Sequence, residues 1–582
     1  MHLGARGGNV HDMGSDGGAC RFLPTTRAEM SALGWESCDI LLVTGDAFVD
    51  HPSFGSALIG RLLESLGWKV GVLPQPDWRS PGAFLELGVP RLFAGVTAGA
   101  MDSMVSNYTS LGRRRSRDDY SENGRAGMRP DRALLAYCNR LREAMPGTPL
   151  VLGGLEASLR RLSHYDFWSD SVRRSALLDT RAAVLVFGMG ERQVAEIAAR
   201  MDSGRDMSGI PGTAVWAGAS GFDRFGSTGE LVELPSHEEV ASSPRAFMRM
   251  TRLVEAESNP WSGRPLLQRS DTRGVLVNPP AEPLDTAELD RIYDLPFTGL
   301  PHPRYSGEIP AWTMIRDSIT AVRGCAGGCS FCALGLHQGK AVRSRSPRSV
   351  VAEVGRLSGK PWFRGTVSDI GGPTANMYGL GCSSPSAEKE CRRASCLFPS
   401  ICPRFRTDSS PFLSVLESAG DVEGVRHVHV TSGIRLDLAV RDRRLIDALA
   451  ASHVSGHIKV APESFSDRVL RLMRKSGLED YLEFCRLFEE ASRRAGREQY
   501  VLPYLIAAFP GSSEDDVVEA SVILRRQRLR PRQVQVFLPV PMTMAAAMYF
   551  TGLDPEGRPL GFVARSPAEK RAQLDRLLYW KK

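Results

Sequence analysis

Between residues 318 and 538, six short strand-like runs alternate with stretches of helical spacing, and this alternation constrains the fold more than any other feature. The runs lie at 318–322, 366–370, 427–431, 457–461, 500–509 and 533–538. The helical patterns lie between them at 347–357, 411–418, 441–452, 466–495 and 513–526. Strands joined through helices run parallel, because a tight turn returns the chain antiparallel. Six such units predict a partial (βα)6 barrel over 311–540, whose reactive groups collect on loops at the carboxyl ends of the strands.

A second α/β region precedes it. Residues 39–44, 69–73, 149–152 and 184–187 read as strands buried on both faces, and 56–66 has helical spacing. Three of these strands end in glycine, at Gly45, at Gly153-Gly154 and at Gly188. The pattern predicts a doubly wound, Rossmann-like domain over 22–240, with its ligand edge at the strand ends. The charged, apolar-poor segment 112–132 reads as a solvated loop. Residues 1–21 read as a disordered tail, and 541–582 as a C-terminal tail. Residues 241–310 read as an irregular connector with short helices near 235–257 and 285–293.

Composition narrows the class. With 42% hydrophobic residues the chain carries too much apolar surface for a mainly disordered protein. No run approaches the ~18 apolar residues of a membrane span. The first twenty residues show no apolar signal core, so a cytoplasmic location is expected. The net charge of +7 permits a nucleic-acid partner without arguing for one.

Seven of the eleven cysteines fall between Cys325 and Cys402, which in a large chain reads as metal binding rather than a disulfide framework. After the first barrel strand come Cys325, Cys329 and Cys332, spaced C-x3-C-x2-C among small residues. Thiolates select zinc or iron–sulfur clusters, and structural zinc needs four ligands. Three thiolates on a compact loop suit a [4Fe–4S] cubane that leaves one iron open. Cys382, Cys391, Cys396 and Cys402 form a second group in an insertion at 375–410, flanked by Lys389, Arg392, Arg393, Arg404 and Arg406. They would saturate a second cluster, or hold zinc, or stand as reduced thiols. The scattered Cys20, Cys38, Cys138 and Cys485 read as inert.

The three-cysteine loop resembles that of the radical S-adenosylmethionine (SAM) superfamily. The resemblance implies a [4Fe–4S] cluster on Cys325, Cys329 and Cys332, with SAM at the open iron, cleaved by one electron to a 5′-deoxyadenosyl radical. A donor such as flavodoxin or ferredoxin would supply that electron. It also implies cofactor contacts from Phe331 beside the last cysteine, and from Gly371, Gly372, Pro373 and Thr374 after the second strand. Ser432 and Arg435 would follow the third strand, Glu463 the fourth and Gly511 the fifth. Ser512 or Ser513 reads equally as a helix N-cap.

Further motifs narrow the likeness: Phe22 to Arg27, Gly45 to Gly55, Gly153 to Ser158, and Gly372 to Gly379 with its insertion. Together they resemble the YgiQ-type radical SAM proteins over nearly the whole chain, which implies fold and cofactor but no substrate. The first domain is similar in topology to cobalamin-binding domains. Its Asp50 and His51 are adjacent, however, and do not form Asp-x-His-x-x-Gly, so cobalamin is not expected. His51 reads as either a functional group or a structural histidine. Tyr378, Asp437 and Asp46 are expected to meet substrate between the domains. The competing readings are a non-enzymatic iron–sulfur protein for electron transfer or sensing, and a cobalamin-dependent methyltransferase or RNA-modifying enzyme.

Overall fold

A computed structural model describes residues 21–218 and 231–581, so the expected N-terminal tail lies outside the described residues, save Arg21. The first half contains β1 (Ile40–Thr44), β2 (Val70–Pro74), β3 (Phe93–Thr97), β4 (Leu150–Leu152), β5 (His164–Asp166) and β6 (Ser171–Arg173). It continues through β7 (Val184–Val186), β8 (Thr213–Ala217), β9 (Val232–Glu233), β10 (Leu266–Ser270) and β11 (Arg273–Val277). All but the β5–β6 hairpin join one sheet in the order β2-β1-β3-β4-β7-β8-β11-β10-β9. Strands β2, β1, β3, β4 and β7 pair in parallel. That is a doubly wound order whose switch point lies between β1 and β3.

The continuous apolar character of β1 follows from this setting. Leu41 and Val43 enter one core layer, while Ile40 and Leu42 enter the other beside Leu58, Leu62 and Leu63 of the helix Gly55–Ser65. Strand β3 escaped the sequence reading because Gly95 interrupts its apolar run. A Cβ there would stand 2.9 Å from Leu42 Cδ2, so the close strand packing demands glycine.

The expected boundary at 240 is corrected. Strands β10 and β11 lie inside the supposed connector, yet β11 pairs antiparallel with β8 and extends the first sheet. The helix reading near 235–257 resolves into His237–Ser242 and Pro244–Ala256, broken where Ser243 caps the second.

The second half carries β12 (Ser318–Thr320), β13 (Val322–Arg323), β14 (Arg343–Ser344), β15 (Thr366–Val367), β16 (Asp369–Gly371), β17 (His427–Val428), β18 (His457–Glu463), β19 (Tyr500–Ala507) and β20 (Gln533–Val536). Each of the six expected barrel strands is present, the first two divided into short segments. The pairs β12–β16 and β15–β17 and the trio β18–β19–β20 are all parallel. The helix expected over 466–495 is two helices, Asp467–Met473 and Leu478–Arg494, because Arg474 takes a left-handed φ of 56°.

The last segment is not a tail. The helix Met544–Thr551 is almost wholly buried and packs on the helix Pro244–Ala256, with Phe550 stacked 4.9 Å from Tyr165 and also meeting Phe247 edge-on. The helix Pro567–Leu577 returns to the barrel, where Gln573 accepts from the Ala508 N–H (2.9 Å) and donates to the Ser512 carbonyl (2.9 Å). Among the described residues no helix is long and apolar enough to cross a membrane.

Candidate functional site

Strand β13 runs into the three-cysteine loop, and the loop's shape is set by its glycines. Gly324 and Gly328 hold φ of 77° and 61°, and a Cβ on either would strike a backbone carbonyl, Ala341 O at 2.1 Å or Ala394 O at 2.4 Å. The loop is then pinned from three sides. The Ser330 N–H donates to Met473 O (3.0 Å), its hydroxyl donates to Leu472 O (2.8 Å), and its carbonyl accepts from Ala545 N (2.8 Å). Small residues and a fixed backbone leave the three thiols half-buried and grouped. Burial pushes the Cys332 thiol up to about 12, helped by the neighbouring Cys329 and Cys325. A cation bound to the sulfurs would reverse that penalty.

Part of the expected cofactor set gathers behind this loop, on the barrel side. Arg435 Nη1 stands 3.4 Å from Cys329 Sγ, and Thr374 Oγ1 stands 3.6 Å from Cys325 Sγ. Arg435 is buried and paired with Asp437, its Nε 3.0 Å from Oδ1. Burial works against its charge, but Asp437 and the thiols Cys329 and Cys325 more than offset this and hold its pKa above the ordinary value. Glu463 ends β18 with a left-handed φ of 72°, a strained conformation of the kind that collects at functional sites. Burial raises its carboxyl, opposed by Lys475 (4.0 Å) and Arg435. Phe331 packs edge-on to Phe509, 6.2 Å between centroids.

Other expected contacts are already spent within the fold. Gly371 gives its carbonyl to Ala321 N (2.7 Å), and the Ser432 hydroxyl is held by Asp369. A Cβ on Gly372 would meet Val322 O at 2.2 Å, so strand packing alone requires that glycine. Pro373 lies beside Gly433. Gly511 has a φ of 91° and packs on Leu472, while Ser513 caps the helix Glu514–Arg526 through a reciprocal pair with Asp516.

On its other side the cysteine loop borders a cavity of about 560 Å³ between the barrel and the first domain. All three thiols reach its wall, as do Phe187 and Glu191 after β7, and residues that follow β11. Sequence reasoning missed several of its groups. His337, on the helix Ala333–Gln338, shares a 2.9 Å hydrogen bond with Ser158 of the first domain, and burial pushes its imidazole down to about 4. Arg323 forms a buried pair with Glu191 and donates to the Tyr293 hydroxyl (3.2 Å). Spacing could have flagged His337, five residues after the last cysteine; nothing local announces Glu191 as its neighbour. Tyr378, Asp437 and Asp46 do not line this cavity. The Tyr378 hydroxyl instead donates to Arg345 O (2.8 Å).

The loops at the carboxyl ends of β1 and β3 pack closely against each other. A Cβ on Gly45 would lie 2.3 Å from Ala98 O, and one on Gly99 would lie 2.1 Å from Asp46 Oδ1. Arg129, fully buried, donates to Ala98 O (2.6 Å) and Asp46 Oδ1 (2.8 Å) and pairs with Asp118. The segment 112–132, expected as a solvated loop, thus brings a buried cation against the ends of β1 and β3. Burial pushes the Asp46 carboxyl up to about 6 against the pull of Arg129. His51 is a structural histidine: it is buried, its Nδ1 accepts from Ser53 N (3.2 Å), and desolvation lowers it to about 4.

A parallel barrel with a C-x3-C-x2-C loop at its first strand, capped by a doubly wound domain, defines a radical SAM protein. Residues 22–318 match the family described as Radical SAM N-terminal, and residues 319–521 match the Radical SAM superfamily, so the chain is a radical SAM enzyme. It is 49% identical to the UPF0313 protein GSU2873 of Geobacter sulfurreducens, over 96% of this chain and 92% of that relative. It is 43% identical to the UPF0313 protein YgiQ of Escherichia coli K12, over 92% of this chain and 80% of the relative. The chain belongs to this UPF0313 family. A more distant likeness links it to the radical SAM methyltransferase TsrM from Kitasatospora setae, solved with cobalamin and a [4Fe–4S] cluster bound. There the TM-score is 0.49 at 16% identity, covering 92% of this chain and 82% of that one. Likeness at that level assigns no cofactor here.

Proposed function

We propose that Cys325, Cys329 and Cys332 hold a [4Fe–4S] cluster, that SAM binds beside it, and that the substrate occupies the cavity between the two domains. The observation that carries this reading is that Cys325, Cys329 and Cys332 all line that cavity. When bound, the cluster and SAM supply a carbon radical that abstracts hydrogen, and the protein's task is to position and shield that chemistry.

The residues divide that task. Arg435 sets a buried positive charge and an N–H at Cys329, which favours an anionic cluster. Glu463, held beside Lys475 at the barrel mouth, offers a carboxylate to the amino group of the cofactor. Phe331, edge-on to Phe509, offers the adenine side. His337 stays neutral and, anchored by Ser158, presents an uncharged imidazole to the cavity. The electron comes from a donor of the flavodoxin or ferredoxin type. No step of this reading uses cobalamin.

Anaerobic reconstitution followed by electron paramagnetic resonance tests the proposal. SAM should perturb the reduced cluster signal, and 5′-deoxyadenosine should form and vanish in Cys329→Ser. A fully loaded cluster whose signal ignores SAM would refute it.

A further inference from the structure

The second cysteine group is distant from the first in sequence but built against it. The Cys396 N–H donates to Ala326 O (2.9 Å) and the Ser395 hydroxyl donates to Gly327 O (2.7 Å), which ties the insertion to the three-cysteine loop. Within the insertion the backbone draws the four thiols together. Ser383 N donates to Arg404 O (2.7 Å) and Arg406 N donates to Gly381 O (2.9 Å), closing the ends that carry Cys382 and Cys402. The Cys402 N–H donates to Cys396 O (2.7 Å). Asn259 of the first domain donates to the carbonyls of Cys391 (3.0 Å) and Glu388 (2.9 Å). All four cysteines are half-buried on the wall of the same cavity.

The surroundings decide what such a set would take. Lys340 Nζ lies 3.3 Å from Cys391 Sγ, a cation placed to offset thiolate charge. The backbone ties to Ala326 and Gly327 set the four cysteines against the three-cysteine loop, where a second cluster of the same iron–sulfur chemistry would stand beside the first. We infer that Cys382, Cys391, Cys396 and Cys402 ligate a second iron–sulfur cluster, closed to substrate because every iron has a protein ligand, and braced against the first. This site stands apart from the SAM reading and does not depend on it.

The test uses the full chain, reconstituted anaerobically with iron and sulfide, and counts iron, sulfide and zinc per chain. Iron should exceed the about four atoms of one cubane, and Cys382→Ser/Cys391→Ser should remove only the excess. Iron that stays at about four in the unmodified chain, or one zinc per chain lost in the double variant, would overturn the inference. If that variant does not fold, Mössbauer spectra of the unmodified chain decide: a component insensitive to SAM should accompany the responsive one, and its absence overturns the proposal. Excess iron with no SAM-responsive component would sink the SAM reading while leaving this one standing.

Discussion

Replacing Arg435 by methionine separates two jobs that one side chain performs. Arg435 and Asp437 are 6% and 4% exposed and form a two-point ion pair, so removing the cation strands a buried carboxylate. Breaking such a pair from one side costs about 3–5 kcal/mol, whereas replacing both partners by apolar groups is often close to neutral. Arg435→Met should therefore destabilise by about 3–5 kcal/mol, and Arg435→Met/Asp437→Leu should recover most of that loss. The cluster should not recover, because both variants lack the N–H at Cys329 Sγ and the adjacent positive charge. Its reduction potential should fall in both, since hydrogen bonds to sulfur and net charge set that potential. Anaerobic urea titration followed by tryptophan fluorescence reads the first effect, and a redox titration followed by paramagnetic resonance reads the second. A single-variant cost below about 1 kcal/mol, or a double variant no more stable than the single, would refute the buried-pair argument. A potential unchanged in both would refute the role at the cluster.

Other outcomes follow from the same structure. His51, His164 and His337 are each held near 4, below the 6.5 of a free imidazole, because burial disfavours their charged form. The unfolded chain then binds more protons between those values, so stability is lost as pH falls from about 7 toward 4; His51→Gln and His164→Gln should flatten that fall in acid titrations of the unfolding midpoint. Gly328→Ala places a methyl 2.4 Å from Ala394 O at a positive φ and should loosen the insertion from the loop, read as reduced iron retention during gel filtration. Hydroxocobalamin should not be retained by the full chain in equilibrium dialysis. Stoichiometric binding would refute that expectation.

What could be read in advance was local. The barrel strands announced themselves as short strand-like runs set between stretches of helical spacing, and Cys325, Cys329 and Cys332 fell within a single loop. Strands β10 and β11 stayed hidden because Gln268 and Arg269 break the apolar run, and their place depends on pairing with β8, far back in sequence. The helix Met544–Thr551 looked like part of a tail because nothing nearby in the chain shows what would bury it.

The sequence by itself determined the strand count of the barrel, the class of metal chemistry and the family, since each rests on periodicity or on spacing within one loop. Only the tertiary structure decided that Arg129 pairs with Asp46 inside the first domain, that His337 meets Ser158, and that the two cysteine groups share one cavity. Those are contacts between segments tens to hundreds of residues apart. They arise because buried backbone and charged groups must find partners wherever the packed chain supplies them, and no local pattern records which partner that will be.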